Sequence, residues 1–228
     1  RWVVFTGSKL DARIPVPNRY FGVFQSGEAK ARGIAVRRHD TPRFVQDVQW
    51  EMLHIMAEAE SAADLWKLAP RLTELLQGYV EKLRTGGIPA ERLLVVQRLS
   101  RELDEYKVQS PAARAASQLR EAGKQMHAGQ RVAFIFTRGR MGVHAWELPK
   151  PPNLSMVDVS YYTELLLRAA LEVMAIPYQV SMEDLRVWVL GNVGYLAPPG
   201  SPPALGYNLP MDMYQRRFPV SVSAVGWG

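Results

Sequence analysis

Apolar side chains recur at helical spacing in two long stretches, and this pattern limits the fold more than any other feature of the sequence. The first stretch contains Phe44, Val48, Met52, Ile55 and Met56. The second contains Leu65, Leu68, Leu72, Leu75, Leu76, Tyr79 and Leu83. A stripe of this kind is stable in a helix only when another element covers it. We therefore predict two helices in a common core, with Pro70 kinking or splitting the second helix.

Short segments rich in β-branched and aromatic residues predict two small groups of strands. Residues 2–5, 19–24 and 30–38 form the first group, and a Gln-Ser-Gly-Glu turn separates the last two strands. Residues 93–96 and 131–137 form the second group. The predicted fold class is α+β. A small antiparallel sheet comes first, and a mainly helical part with a short β element follows.

Capping residues and helix breakers mark where helices begin and end. Ser or Thr caps a helix and proline fits its first turn, which predicts helix starts at Thr41-Pro42, Ser61 with Asp64, Ser110-Pro111 and Ser181 with Asp184. Glycine after the last apolar residue predicts helix ends at Gly86-Gly87, Gly123 and Gly191. A further apolar helix is predicted over residues 158–175.

The last part of the chain differs in composition from the rest. From Gly191 onward, 12 of 38 residues are Gly or Pro, yet large apolar side chains continue to Trp227. We predict an extended segment that lies on another surface, either of this chain or of a partner. The predicted division is a β segment at 1–43, a domain at 44–190 and an extension at 191–228.

The net charge of +6 is distributed unevenly. Residues 1–43 hold nine basic and three acidic residues, and residues 98–140 hold nine and four. Residues 44–97 and 141–228 are mildly acidic. A polyanionic partner is favoured if both basic blocks fold onto one face. Ordinary solvated surface explains the same excess, and charge alone does not decide between these readings.

The sequence shows no pattern of catalytic or metal-binding residues. It has no Cys, its four His are scattered, and it lacks the glycine-rich phosphate motifs. Glu102 and Asp104 would point about 200° apart on a helix, whereas two-metal catalysis needs carboxylates that converge on ions roughly 3.5–4 Å apart. We assign no catalytic residue, metal ligand or cofactor to this chain. It also lacks an uncharged apolar stretch of the length that spans a membrane.

Three groups of motifs, in order, resemble the C-terminal part of family B DNA polymerases. Residues 18–22 (NRYFG), with 31–34 (ARGI) and 36–40 (VRRHD), are similar to the family's Lys-Lys-Arg-Tyr motif and the strand after it. A second group is similar to its thumb signature and comprises 88–93 (IPAERL), 99–108 (LSRELDEYKV) and 110–112 (SPA). A third is similar to its thumb strand and a D-x-x-Y-Y helix and comprises 129–136 (GQRVAFIF) and 158–162 (DVSYY).

The resemblance covers roughly residues 17–190 and departs from the family pattern at two places. The Lys pair of the first motif is Pro17-Asn18 here, and the family's Gly-Pro-His is Ser110-Pro111-Ala112. The contacts that those side chains make in relatives do not carry over. The tail after Gly191 lies beyond the matching part.

The resemblance implies the end of a palm domain at 1–43 and a thumb domain at 44–190. A thumb grips primer–template duplex behind the active site, mainly through the DNA backbone. The palm aspartates that bind Mg²⁺ in the family have no counterpart here, so the chain would be part of a nucleotidyltransferase without being active alone. It would be a split small subunit or an excised domain; its first residue, Arg1, fits either.

The resemblance also implies a set of DNA-binding residues. They are Arg19, Tyr20, Arg37, Arg38, Ser100, Arg101, Tyr106 and Lys107. Other readings stay open for several of them. Arg101 and Lys107 would equally form salt bridges with the neighbouring acids at 102, 104 and 105, and Tyr20 would equally be a core aromatic. Arg37 and Arg38, as neighbours on a strand, should point to opposite faces.

Two partners follow, namely primer–template DNA and a larger catalytic polymerase chain, with a cytoplasmic, nucleoid-associated location. We expect both ends of the chain to contact the larger chain through apolar residues. These are Trp2, Val3, Val4, Phe5 and Ile14, and in the tail Tyr207, Met211, Tyr214, Phe218 and Trp227. The alternative is that these segments cover each other. A second functional hypothesis is an accessory assembly subunit with little DNA binding of its own, and a third is a generic nucleic-acid-binding protein.

Overall fold

A computed structural model of the chain describes residues 1–8 and 10–191. Within them lie two three-stranded antiparallel sheets and five α-helices, which confirms the predicted α+β class. The tail prediction, including its five named apolar residues, lies outside the described residues.

The first sheet forms at the N-terminus and contains β1 Trp2–Gly7, β2 Pro15–Val23 and β3 Ala29–Arg32. The strands follow the order β1-β2-β3, with Phe5 opposite Tyr20 and Tyr20 opposite Arg32. Alternate residues of β1 are buried, and the Trp2 indole N–H donates to the carbonyl of Ala59 at 3.0 Å. Trp2 and Val4 are therefore covered by this chain itself, and the expectation that they offer apolar surface to a partner is wrong.

The predicted strand at 30–38 is wrong in its second half. β3 ends at Arg32, and Ala35–Arg37 form a short 3-10 helix. Gly33 has a φ of +71°, and a Cβ there would lie 2.5 Å from the carbonyl oxygen of Asn18, so the chain turns out of the sheet at a position that only glycine fits. The expectation that Arg37 and Arg38 occupy opposite faces of a strand is therefore also wrong.

The five helices are α1 Arg43–Met56, α2 Ala69–Arg84, α3 Pro111–Glu121, α4 Val159–Met174 and α5 Met182–Leu190. The two apolar stripes are largely buried, and the Tyr79 hydroxyl on α2 donates to Glu51 on α1. The second stripe is split as predicted. Residues Ala62–Leu68 form a 3-10 helix. Pro70 lies in the first turn of α2, where backbone N–H groups have no partner within the helix, so its missing N–H costs no helical hydrogen bond.

The second sheet contains β4 Val95–Arg98, β5 Arg131–Phe136 and β6 Val143–Ala145. β4 begins two residues later than predicted, because Ala90–Leu93 form a 3-10 helix. Gln118 on α3 fixes the sheet by donating to the Val143 carbonyl and accepting from the Ala145 N–H, both at 2.8 Å. The same helix begins as predicted, since the Ser110 hydroxyl accepts the Ala113 N–H.

The chain divides into two compact units, each built from separate stretches. The first unit contains Arg1–Arg38, Val45–Glu81 and the stretch that begins at Thr163. The second contains His39–Phe44 and Lys82–Tyr162. The boundaries expected at 43/44 and 190/191 separate parts with different expected roles. The division into compact units does not test those roles, so these boundaries stay predictions. Among the described helices, none has the length and apolar character needed to cross a membrane.

Candidate nucleic-acid interface

A short loop in the second unit carries four of the predicted DNA-binding residues. Leu99 and Leu103 are buried and anchor the loop, and Leu103–Glu105 form one 3-10 turn. This anchoring leaves Ser100, Arg101 and Lys107 exposed on the surface. The two buried leucines thus hold the loop in place, and the Arg101 and Lys107 side chains extend from it into solvent.

Tyr106 is hydrogen-bonded back to the start of the loop. Its hydroxyl accepts the Ser100 N–H at 3.0 Å and lies 3.2 Å from the Ser100 hydroxyl. These hydrogen bonds lower the pKa of Tyr106, and the bond with the Ser100 side chain has the largest effect. The Arg101 guanidinium carbon lies 5.7 Å from the centre of the Tyr106 ring, a cation–π contact. Ser100, Arg101 and Tyr106 therefore form one local cluster, and Lys107 follows it directly.

The neighbouring acids are engaged elsewhere. Glu102 accepts the Ala128 N–H at 2.9 Å, and Glu105 accepts the Glu102 N–H at 3.3 Å. Asp104 pairs with Arg120 at 2.9 Å. Arg101 and Lys107 form no salt bridge within the described residues, so the alternative reading that these acids neutralise them is not observed. Their charges are available to an external anion.

In the first unit, Arg19 and Arg38 meet at one carboxylate. Arg19 on β2 donates to Glu172 on α4 at 2.7 Å, and Arg38 donates to the same oxygen at 2.9 Å. The side chains of Arg19 and Glu172 are only 9% and 14% exposed. The two arginines are thus held in an internal ion cluster, and the DNA contact predicted for them stays a prediction.

The other carboxylate oxygen of Glu172 holds the backbone that leaves the first sheet. It accepts the Ala35 N–H at 2.7 Å and the Gln49 amide at 3.0 Å. Gln49 also accepts the Val36 N–H at 2.6 Å and donates to the Ala169 carbonyl at 2.8 Å. These bonds satisfy the N–H groups that a continued strand would have paired, which is why the 3-10 turn replaces it.

Arg37 and Tyr20, also in the first unit, have different surroundings. Arg37 is exposed, and its guanidinium lies 5.4 Å from the centre of the Trp50 ring. Tyr20 is half-buried and contacts the edge of Phe5, with ring centres 5.9 Å apart. The geometry leaves Arg37 accessible to a ligand and leaves both readings of Tyr20 open.

Sequence reasoning missed Glu172 and Gln49. Glu172 is the single charged residue in the run Ala169–Ala175, which is otherwise apolar. A lone charge on an apolar helix face signals a buried partner, because an unpaired buried charge is strongly unfavourable. That signal was present in the sequence, but the identity of its partners was not.

The described residues contain no group of three or more His, Asp or Glu side chains that could hold a metal ion.

The sequence model of DNA polymerase family B matches residues 18–177. DNA polymerase 1 of Saccharolobus solfataricus is 28% identical over 186 residues, which cover 81% of this chain and 20% of that protein. The DNA polymerase of Thermococcus kodakarensis is 24% identical over 189 residues, covering 80% of this chain and 11% of that protein. The chain thus spans about a fifth or less of the length of these relatives.

A solved structure is similar as well. The family B DNA polymerase from the hyperthermophilic archaeon Pyrobaculum calidifontis matches with a TM-score of 0.58 and 25% identity. The match covers 75% of this chain and 21% of that one. Sequence family and fold therefore agree over most of the chain, which belongs to DNA polymerase family B.

Proposed function

We propose that this chain is the thumb and palm-end part of a family B DNA polymerase and grips primer–template duplex through its backbone. It contributes to template-directed nucleotidyl transfer without performing it alone. One observation carries the proposal. Arg101 and Lys107 project from a rigid loop without a salt bridge in the described residues, while every neighbouring acid is engaged.

The chemistry of the loop suits a ligand read by shape and charge. Phosphate oxygens are the same in every sequence, so a grip that must slide along DNA uses cations rather than base-reading groups. Arginine presents a planar fork to phosphate, and its contact with Tyr106 limits how far the Arg101 side chain moves. Less conformational freedom is then lost on binding.

The test is the salt dependence of binding to a primer–template duplex. With three to five phosphate contacts, log affinity should fall with log salt with a slope of about −2.7 to −4.5, at ~0.9 per contact. The double variant Arg101→Ala/Lys107→Ala should flatten the slope by about 1.8 and bind roughly 60-fold more weakly at 0.1 M salt, from the same relation. Fluorescence anisotropy over a salt series measures both quantities.

The matched control is Lys67→Ala/Arg168→Ala, which also removes two exposed positive charges. Those two side chains pair with Asp64 and Glu164 on the first unit. The control should keep the wild-type slope. An equal effect of both double variants would show that only net charge matters. A wild-type slope near zero would contradict the proposal and favour the assembly hypothesis.

We further propose a larger catalytic chain as the partner. This chain covers about a fifth of the relatives' length, so the proposed function also needs the polymerase parts that this stretch does not contain. The connection between β1 and β2 exposes Leu10 completely and Ile14 by 60%. Exposed apolar side chains in such a connection suit contact with another protein surface.

Replacing Leu10 and Ile14 with Ser should weaken the complex with a co-expressed larger family B chain by at least about 100-fold, since each buried aliphatic side chain contributes about 1.5–3 kcal/mol. Analytical size exclusion and calorimetry measure the loss. Leu154→Ser is the control, because Leu154 is an exposed aliphatic side chain, at 50%, that lies in the second unit. Unchanged affinity of the Leu10/Ile14 variant would exclude this surface.

A further inference from the structure

Two arginines face each other directly across the second sheet. Arg98, the last residue of β4, is opposite Arg131, the first residue of β5. In the next residue pair, the Leu99 N–H donates a hydrogen bond to the Gln130 carbonyl at 2.9 Å. Arg98 and Arg131 therefore occupy a non-hydrogen-bonded position, where paired side chains come closest, with Cα atoms about 4.5 Å apart.

This pair lacks a neutralising partner in the part of the chain that the structure describes. Both side chains are exposed, and neither forms a hydrogen bond or salt bridge there. Like charges directly opposite each other destabilise a sheet. The pair is thus unfavourable for the fold on its own and becomes favourable when an anion lies between the two guanidinium groups.

The pair also continues the candidate interface. Arg101 follows Arg98 by three residues, which an extended chain spans in at most about 10 Å. The Leu99 carbonyl accepts the Gly129 N–H at 2.8 Å, so the chain beside the pair stays hydrogen-bonded to the segment before β5 up to the loop. Val96 and Ala133, opposite each other, share the face of the pair by strand alternation. The neighbouring position on this face is thus apolar, and the positive charge of the sheet lies at the end nearest the loop.

We infer that Arg98 and Arg131 form a site for a phosphodiester group of a nucleic acid strand, next to the Ser100–Lys107 loop. The inference rests on the proposed function and adds Arg131 to it. Two guanidinium forks on one rung can bind the two free oxygens of a phosphate from opposite sides. The ligand compensates the repulsion that the fold carries without it.

The test uses the full chain with Arg98→Thr/Arg131→Thr, since threonine suits a strand and removes both charges. For duplex DNA the salt slope should flatten by about 1.8, with roughly 60-fold weaker binding at 0.1 M salt. In 20 mM salt without DNA, the melting temperature should stay equal or rise, because the repulsion is gone. Sodium tripolyphosphate should raise the melting temperature of the wild type but not of the variant.

The outcomes distinguish a failure of the inference from a failure of the proposed function. If Arg101→Ala/Lys107→Ala weakens DNA binding while the threonine variant keeps the wild-type slope, the paired site is excluded and the loop stands. A melting temperature that falls together with affinity would assign the pair a structural role and overturn the inference. A response to tripolyphosphate with unchanged DNA binding would also overturn it, since the site would then take free phosphates only. If the wild type does not bind DNA at all, both proposals fail.

Discussion

Replacing Glu172 with Ala is expected to lower the free energy of unfolding by about 3–5 kcal/mol, the cost of breaking a buried ion pair from one side. The change leaves the Arg19 guanidinium, with its side chain only 9% exposed, without its carboxylate. It also leaves the Ala35 N–H without its acceptor. Urea unfolding followed by circular dichroism measures the loss.

The same helix supplies a matched control. Glu164 on α4 also pairs with two arginines, Arg168 and Arg186. Its side chain is 30% exposed, and Arg168 is largely in solvent. Because solvent screens such pairs, Glu164→Ala should cost about 1 kcal/mol or less.

A second variant keeps this prediction decisive if Glu172→Ala does not fold. Glu172→Gln preserves shape and one acceptor but removes the charge, so we expect a loss smaller than that of alanine and larger than that of Glu164→Ala. Equal losses for Glu172→Gln and Glu164→Gln would show that burial of the cluster contributes nothing beyond a surface pair. The cluster would then not hold the turn at 33–38.

Replacing Tyr162 with Phe is expected to cost about 2–6 kcal/mol, because it leaves one buried donor and one buried acceptor unsatisfied at about 1–3 kcal/mol each. The fully buried Tyr162 hydroxyl donates to the Leu93 carbonyl at 2.8 Å and accepts the Phe136 N–H at 2.9 Å. It thereby joins the segment before β4 to the end of β5. Chemical unfolding of the full chain measures the loss.

Tyr178→Phe is the control for the second prediction. The Tyr178 hydroxyl is also buried but makes a single described bond, to the Leu65 carbonyl at 2.7 Å. Its replacement should cost about half as much as that of Tyr162. Equal costs would contradict the bridging role of Tyr162.

Alkaline pH offers an independent check of the same residue. Burial raises the pKa of Tyr162, so the folded state keeps the proton that the unfolded chain releases near pH ~10. Wild-type stability should therefore be fully present below pH ~10 and decline as the pH rises above it. Tyr162→Phe removes this ionisation, so the stability difference between variant and wild type should shrink above pH ~10. A constant difference up to pH 11.5 would contradict the assignment.

The sequence by itself determined the elements whose signals are local. Apolar spacing located α1, α2 and α4, and Ser110 and Ser181 marked the starts of α3 and α5. Proline at position 70 split the second stripe as expected. The signals for these elements lie in residues at most four positions apart, so a linear pattern is enough to locate them.

The tertiary structure decided the features that depend on distant partners. The strand expected to reach residue 38 ends at Arg32, and Glu172, 137 residues after Ala35, accepts the N–H group that a continued strand would have paired. Trp2 is buried, and the distant Ala59 carbonyl accepts its indole N–H. Arg98 and Arg131 became neighbours only through strand register. In each case the decisive contact joins residues that folding brings together, and a one-dimensional pattern names at most one of them.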